Sequence, residues 1–365
     1  MKTNRIQNLQ NLLIRDGLNA LLITNPKNIF YLSNFRGVSE TERESILFVT
    51  KTECFLFIPR MYADHAKISV DSSVQIITEL SNGLFGSFVE FIKEDWTIGC
   101  EAQNMTLAEH RHIHKGTGVE LTLTYGLVEE LRIIKSEEEI HSLKKAAQIT
   151  DQTFEHIQTF IKHNLDAGIT EHHVIEELRR FSSSLGSEKF GFDPIVAVGP
   201  GSAEPHYISQ NRKLDRGQTL LIDMGFVVNG YTSDFTRTIF LGKASPEFKQ
   251  IYNLVLDVQL KSIAAAKPGT STKDLHEVST QVFKDAGKKE LYLHSLGHGV
   301  GLDIHEAPSI SPRSDSTLKH GMIITIEPGL YLSNKFGVLI EDLAVVTEDG
   351  VELLTKASKE LIEVV

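Results

Sequence analysis

The chain carries only two cysteines in 365 residues, Cys54 and Cys100, both in its first third. Two thiols build no disulfide framework, so a reducing compartment with inert thiols is the simpler expectation. No apolar run reaches the length of a membrane span, and the opening residues, Met1 to Gln7, lack the apolar centre of a secretory leader. Beyond Gln7, the segment through Leu13-Ile14 reads instead as an amphipathic helix. An excess of basic residues is also missing, since the formal net charge is −11. That argues against a nucleic-acid binder that relies on a general basic surface. The N-terminal part has no phosphate loop and no GxGxxG, and the chain has no low-complexity tract or short repeat. These absences lead us to expect a soluble, cytoplasmic protein with no nucleic-acid or membrane partner.

What is present is an ordinary globular composition, 41% hydrophobic and 23% charged, on a chain long enough for two domains. Residues 1–130 read as an α/β unit. Its strand candidates are Ala20 to Thr24, Ser45 to Val49 and Cys54 to Ile58, with Asn25-Pro26 breaking the first and a helix expected over Gly86 to Lys93. The boundary falls near Leu127 to Ser136, leaving residues 131–365 as a second domain. Ser136 and the acids after it cap a long helix running to about Phe160. Thr170 opens another, with Val174, Ile175 and Leu178 at helical spacing, and a third is expected from Thr272 to Ala286. Strands cluster at 190–199, 218–241, 290–304 and 321–347. Helices mixed with largely antiparallel strands make this second domain α+β.

Five polar residues stand out within short apolar segments of that domain: Asp223, Asp234, His298, Glu327 and Glu341. A buried carboxylate without a partner is costly, so several converging on one core imply a counter-cation. Four carboxylates and an imidazole suit a hard-to-borderline divalent metal, and four negative charges balance two such ions. Taken singly, an acid in a strand is more often a solvated edge residue, and a histidine between glycines is more often a loop residue. The five differ because their spacing, order and glycine context agree. His172-His173 and the series His110, His112, His114 have polar neighbours and no matching acids, and are assigned no role.

Part of the geometry can be derived. Asn229-Gly230 is a two-residue hairpin signal. With Val228 opposite Tyr231, Asp223 falls opposite Thr236 and Gly225 opposite Asp234. The two aspartates are then diagonal neighbours on one face, about 7–8 Å apart, with Phe235 on the other. Glu327 and Glu341 share parity about a turn near Ser333 to Phe336, so an odd-length loop could set them opposite each other. Pro328-Gly329 must bend or end the first of those strands. The glycines beside His298 allow backbone or ligand to approach closely.

From about Leu131 onward the chain resembles the pita-bread metallopeptidases, which include methionine aminopeptidase, aminopeptidase P and prolidase. The ordered Asp, Asp, His, Glu, Glu set carries the likeness. The run from Leu296 to Pro308, which includes Gly297-His298-Gly299 and His305-Glu306-Ala307-Pro308, is similar to the branch that cleaves Xaa-Pro bonds. So are Phe192-Asp193-Pro194 with Pro205-His206, and Asn28 to Phe35. The resemblance implies a creatinase-like α/β N-terminal domain, an α+β pita-bread catalytic domain and a homodimer.

It further implies two divalent metal ions, manganese by expectation, with cobalt, zinc or iron as alternatives. Asp223, Asp234, His298, Glu327 and Glu341 would be the ligands, with Asp234 and Glu341 bridging. Glu327 would shuttle the proton, His206 would steady the tetrahedral intermediate, His305 would bind near the proline and His294 would wall the pocket. The implied substrates are short proline-containing peptides. An Xaa-Pro dipeptidase leads, with an Xaa-Pro aminopeptidase acting on longer peptides as the alternative. A metal-free creatinase-like C–N hydrolase and a non-catalytic binding protein on the same fold rank behind, because both normally lose ligands. One position departs from the pattern: Leu339 stands where relatives usually carry an arginine, two residues before Glu341. A nearby arginine such as Arg237 could compensate.

Overall fold

The computed structural model describes residues 5–37, 39, 42–80 and 83–364. The opening Met1 to Asn4, on which part of the reading of the N-terminus rests, lies outside these residues. The chain divides into two compact units, Met1–Arg132 and Ile133–Val365.

The first unit is a six-stranded mixed sheet. Its strands are β1 (Ala20–Ile23), β2 (Ile46–Thr50), β3 (Cys54–Phe57), β4 (Gln75–Ile77), β5 (Ile98–Glu101) and β6 (Leu121–Thr124), in the order β4-β3-β2-β1-β5-β6. Strands β1 to β3 are antiparallel neighbours and the outer pairings are parallel. Every residue of β1, β2 and β3 is buried, as expected of a sheet covered on both faces. The helices are α1 (Arg5–Arg15), α2 (Pro26–Ser33), α3 (Ala63–Ser69), α4 (Leu84–Ser87), α5 (Leu107–Thr117) and α6 (Leu127–Arg132). Asn25-Pro26 follows the end of β1, as expected, and also starts the next helix: the Asn25 side chain accepts from the Lys27 N–H and Pro26 opens α2. One expectation needs correction. The helix expected over Gly86 to Lys93 is the single-turn α4 followed by a 3₁₀ turn, Phe88–Phe91.

The second unit begins with α7 (Glu137–Asn164), closed by a reciprocal cap between Ser136 and Glu139. Three more helices are α8 (Glu171–Ser184), α9 (Pro246–Ala265) and α10 (Thr272–Asp285). Helix α9 escaped the sequence reading. Its apolar residues spread around much of the helix, which blurs the stripe, although Ser245 caps it and Pro246 occupies its first turn.

The functional strands form two hairpins, each interrupted half-way. In the first, β8 (Gln218–Met224) pairs β11 (Phe235–Leu241), while β9 (Val227–Val228) pairs β10 (Tyr231–Thr232). Register runs unbroken from Val228↔Tyr231 to Asp223↔Thr236. The turn has φ of 52° at Asn229 and 83° at Gly230, the double positive φ of a type I′ turn. The ladder breaks at Gly225, where a Cβ would meet the Ser233 carbonyl oxygen at 2.1 Å.

Strand β7 (Ile195–Val198) flanks the first hairpin along β8, and β12 (Gly297–Gly299) and β13 (Glu306–Ile310) extend the sheet of the second. In that hairpin, β14 (Ile323–Ile326) pairs β17 (Asp342–Val346), and β15 (Gly329–Leu332) pairs β16 (Phe336–Leu339). Register again runs through the gap, from Ile326↔Asp342 to Gly329↔Leu339, which sets Glu327 opposite Glu341. The loop is the odd three, Ser333-Asn334-Lys335, with Asn334 at φ 59°. With β18 (Val351–Leu353) and β19 (Glu363–Val364), the sheets read β19-β11-β8-β7 and β13-β12-β14-β17-β18. All their pairings are antiparallel except β11 with β19.

Candidate metal centre

All five singled-out residues line one cavity of about 410 Å³ in the second unit. Asp223 lies near the end of β8, and Asp234 immediately precedes β11. His298 is the middle residue of β12. Glu327 and Glu341 occupy the breaks of the second hairpin. The glycines beside His298 admit neighbouring strands: a Cβ on Gly297 would meet the Thr325 oxygen at 2.1 Å, and one on Gly299 the Ala307 oxygen at 2.2 Å. They therefore hold β12 tightly between β13 and β14, so backbone rather than ligand makes the close approach.

Asp234, His298 and Glu341 each place one possible ligand atom within 4.8 Å of the other two. His298 Nε2 lies 3.6 Å from Asp234 Oδ2 and 3.2 Å from Glu327 Oε1. Its Nδ1 lies 3.1 Å from the Gly299 carbonyl, which can only accept. Nδ1 therefore carries the proton and Nε2 faces the acids, as a metal-ligating imidazole requires. Thr236 Oγ1 donates to Glu341 Oε2 at 2.7 Å, and Thr325 Oγ1 donates to Glu327 Oε1 at 3.0 Å. Asp223 Oδ1 is buried and finds no hydrogen-bond partner among the described residues.

Electrostatics tests whether this set fits a metal. With protein groups alone, burial pushes Asp223 well above the usual carboxylate range, and Asp234 and Glu327 add to the shift. Burial pushes Glu341 well up in the same way, reinforced by Asp234, Glu327 and Asp223. Asp234 rises to about 7, from burial first, with Glu327 adding and His298 opposing. Burial acts in the same direction on Glu327, but its hydrogen bond to His298 and that ring's charge outweigh it and hold Glu327 below its ordinary value. His298 goes up to about 9: burial opposes the shift, and Glu327 and Asp234 override it. A cavity that crowds four acids and leaves one buried oxygen unpartnered lacks positive charge. Divalent cations supply it, and the oxygen-rich donor set with one imidazole fits them.

The outer wall carries the three other predicted histidines. His305 stands edge-on to His298 at 4.4 Å between ring centroids; burial and the His298 charge lower its pKa. His294 donates from Nδ1 to the Ser295 carbonyl at 2.8 Å and accepts at Nε2 from the Tyr331 hydroxyl at 2.9 Å. His206 reaches the cavity from the exposed loop after β7. Among the described residues, none of those lining the cavity is a lysine or an arginine. Leu339 contributes apolar wall together with Ile195. Arg237 does not take the place of the missing arginine. It donates to Asp342 Oδ1 at 2.7 Å, to the Thr236 carbonyl at 3.0 Å and to the Glu341 carbonyl, which braces the Glu341 backbone from outside the cavity.

His173 caps α8, accepting from the Thr170 N–H, and His172 reaches the Ser209 carbonyl. The His110 series lies on α5 in the other unit. Three residues of the site were not singled out from sequence: Tyr331, Thr325 and Thr236. Tyr331 and Thr325 sit four residues after and two before Glu327, the same-face spacing of a strand, and Thr236 is the cross-strand partner of Asp223.

A cavity that sets four buried or half-buried carboxylates around one imidazole, ringed by further histidines, defines a metal-dependent hydrolase. Residues 141–348 match the model of metallopeptidase family M24, and residues 5–134 match that of the creatinase/prolidase N-terminal domain. The chain belongs to family M24. It is 34% identical over 358 residues to a Xaa-Pro dipeptidase of Pyrococcus furiosus, covering 98% of this chain and 99% of that protein. Among solved structures, a Xaa-Pro dipeptidase from Bacillus anthracis superposes with a TM-score of 0.92 at 34% identity, covering 98% of both chains. An X-Pro aminopeptidase from Thermotoga maritima does so at 0.84 and 32% identity, covering 95% of this chain and 97% of that one. The N-terminal unit is thus a creatinase-like domain and the C-terminal unit a pita-bread catalytic domain.

Proposed function

We propose that this protein is a dinuclear-metal Xaa-Pro dipeptidase acting on short proline-containing peptides. The carrying observation is the group of four carboxylates around His298, Asp234 and Glu341 buried and Asp223 and Glu327 half-buried, with the buried Asp223 Oδ1 left unpartnered. Asp223, Asp234, His298, Glu327 and Glu341 would hold the two ions, manganese by preference. When bound, such ions polarise the scissile carbonyl and acidify water at neutral pH. This suits a bond to proline, whose nitrogen offers no N–H to grip.

The remaining chemistry belongs to the side chains. Glu327, held ionised by His298, accepts a proton from the attacking water and passes it to the leaving proline nitrogen. His206 donates to the oxygen of the tetrahedral intermediate. His305 binds beside the proline and His294, fixed by Tyr331, forms the wall. We further place the protein in the cytoplasm as a homodimer, in keeping with its two buried thiols. No described helix is long and apolar enough to cross a membrane.

One observation favours a second reading, an Xaa-Pro aminopeptidase. Among the described residues, the cavity wall offers Leu339 and no lysine or arginine to the free carboxylate of a dipeptide. The deciding experiment loads purified protein with manganese and follows proline release from Ala-Pro alongside alanine release from Ala-Pro-Ala. Hydrolysis of Ala-Pro supports the dipeptidase, and cleavage of the tripeptide alone supports the aminopeptidase. Neither reaction, with two ions bound, refutes both.

A further inference from the structure

We infer that Glu171 is a positioning residue for His206, acting as a clamp that closes the His206 loop. The inference rests on the role given to His206 above. Glu171 is the first residue of α8 and is fully buried. Its carboxylate faces the loop that leaves β7 after Val198 and returns at Gln210. Oε1 accepts the Val198 N–H at 2.9 Å, and Oε2 accepts the Gln210 N–H at 2.7 Å. One side chain therefore pins both feet of the loop. The Tyr207 hydroxyl donates to the same carboxylate, at 3.2 Å from Oε1 and 3.1 Å from Oε2. Tyr207 adjoins His206 in the chain and packs against Leu339, Ala197 and Leu221 under the cavity wall.

Other contacts complete the enclosure. Ser209 Oγ accepts the Val196 N–H at 2.8 Å, and Ser202 Oγ accepts the Gly337 N–H of β16 at 2.9 Å. The α8 N-terminus favours an anion at this position, and the three donors satisfy the carboxylate without a cation having to be recruited. All three groups that meet Glu171 are donors, so a neutral amide in its place would turn an NH2 towards one of them and leave a buried donor unpaired. A hydrogen-bond donor to a transition state must be aimed to within a fraction of an ångström, and His206 otherwise rides on an exposed loop. The clamp converts that loop into a rigid mount. None of the five proposed ligands lies on it.

The test is a double-mutant cycle on the manganese-loaded full chain with Ala-Pro, or with Ala-Pro-Ala if the chain proves to be an aminopeptidase. His206→Ala is expected to lower kcat about 10²-fold, as loss of one oxyanion donor does. Glu171→Gln is expected to lower kcat at least about tenfold, with manganese affinity by calorimetry unchanged. The double variant is expected to fall within about threefold of His206→Ala alone, because a clamp that works through His206 has nothing left to position. Glu171→Gln at the wild-type rate, or losses that multiply, overturns the clamp while leaving the His206 role intact. His206→Ala at the wild-type rate overturns that role and the clamp with it. If Glu171→Gln does not fold, Tyr207→Phe takes its place in the cycle and is read in the same way.

Discussion

Metal affinity should rise steeply with pH, and the apo protein should respond to pH in the opposite sense. With protein groups alone, Asp234 titrates near 7 and His298 near 9, while Asp223 and Glu341 lie well above their ordinary values. Every one of these must lose its proton to ligate a metal. At pH 6 both Asp234 and His298 are protonated, so filling the site releases at least two protons. Two protons released correspond to about 100-fold in affinity per pH unit below 7, and His298 continues to release its proton above it. The carboxyls and the imidazole act on apo stability in the same direction. A carboxyl whose pKa is raised on folding stabilises the fold at low pH and loses that contribution as pH climbs to its folded pKa; for Asp234 the window runs from 3.8 to about 7. His298 contributes below 6.5 and loses its contribution as pH climbs towards about 9.

The apo protein should therefore melt lower at pH 8 than at pH 6, while the metal-loaded protein gains over the same interval. Metal at 100 times its Kd stabilises by about 2.7 kcal/mol. At roughly 2–4 °C per kcal/mol for a unit of this size, chelation at pH 8 should lower Tm by about 5–11 °C. The assay is calorimetric titration with manganese from pH 6 to pH 8 in buffers of different ionisation enthalpy, which counts the protons, paired with thermal melts with and without chelator. Affinity that stays flat across that range, or a Tm unmoved by complete metal removal, would refute a carboxylate-rich metal cavity.

Three further perturbations test other parts of the site. Glu327→Gln should fold normally by circular dichroism and lose about 10²–10⁴-fold in kcat; a fully active variant sinks the proton-shuttle assignment. Leu339→Arg gives the cavity a permanent cation, and steady-state kinetics should show KM for Ala-Pro falling about tenfold, with KM for Ala-Pro-Ala much less affected. An equal change for both peptides would mean that the arginine does not meet the proline carboxylate. Thr236→Val removes the donor to Glu341 Oε2 and should weaken manganese binding about 10–100-fold by calorimetry, with little change in Tm of the apo protein. Unchanged affinity would show that Thr236 only fills space.

Much of the site was legible because hairpins convert sequence spacing into geometry. Asn229-Gly230 dictates a type I′ turn, and from that turn alone Asp223 lands opposite Thr236, as observed. The second pair was only half legible. Parity put Glu327 and Glu341 on one face, but the three-residue loop at Asn334 that sets them opposite is one of several that the segment could form. Distant contacts left no local signal. Arg237 sits in a strand whose two faces are both buried, so spacing could not show that its guanidinium turns to Asp342 and the Glu341 carbonyl and away from the cavity. Glu171 reads as an ordinary first-turn acid of a helix, and its partners arrive from a loop some thirty to forty residues further along the chain. Helix α9 was hidden because its apolar residues do not confine themselves to one face. Short strands such as β4 and β6 carry too few residues for alternation to register.

The register of the second hairpin explains how its acids reach the cavity without unpairing the backbone. Ile340 bonds back to the Pro328 carbonyl, so the adjacent pair Glu327↔Glu341 is a non-hydrogen-bonded one and its N–H groups point outward. The Glu341 N–H goes to the Thr236 carbonyl at 3.1 Å, and the Glu327 N–H to the Leu296 carbonyl at 2.9 Å. In the first hairpin, Thr232, paired with Val227 and two residues before Asp234, likewise turns its outward N–H to the Gly301 carbonyl at 3.0 Å. These outward N–H groups stitch each strand to a neighbouring segment, and the acids are carried into the space between them. Thr236 then joins the two hairpins twice, once through its carbonyl to the Glu341 backbone and once through its hydroxyl to the Glu341 carboxylate. Arg237, the next residue, holds the Glu341 carbonyl from the other side. A ligand on the second hairpin is thus oriented by residues of the first before any cation arrives. Loss of a ligand carboxylate or of the Thr236 hydroxyl should therefore cost metal affinity, whereas removing the Arg237 guanidinium should cost the geometry of both hairpins together.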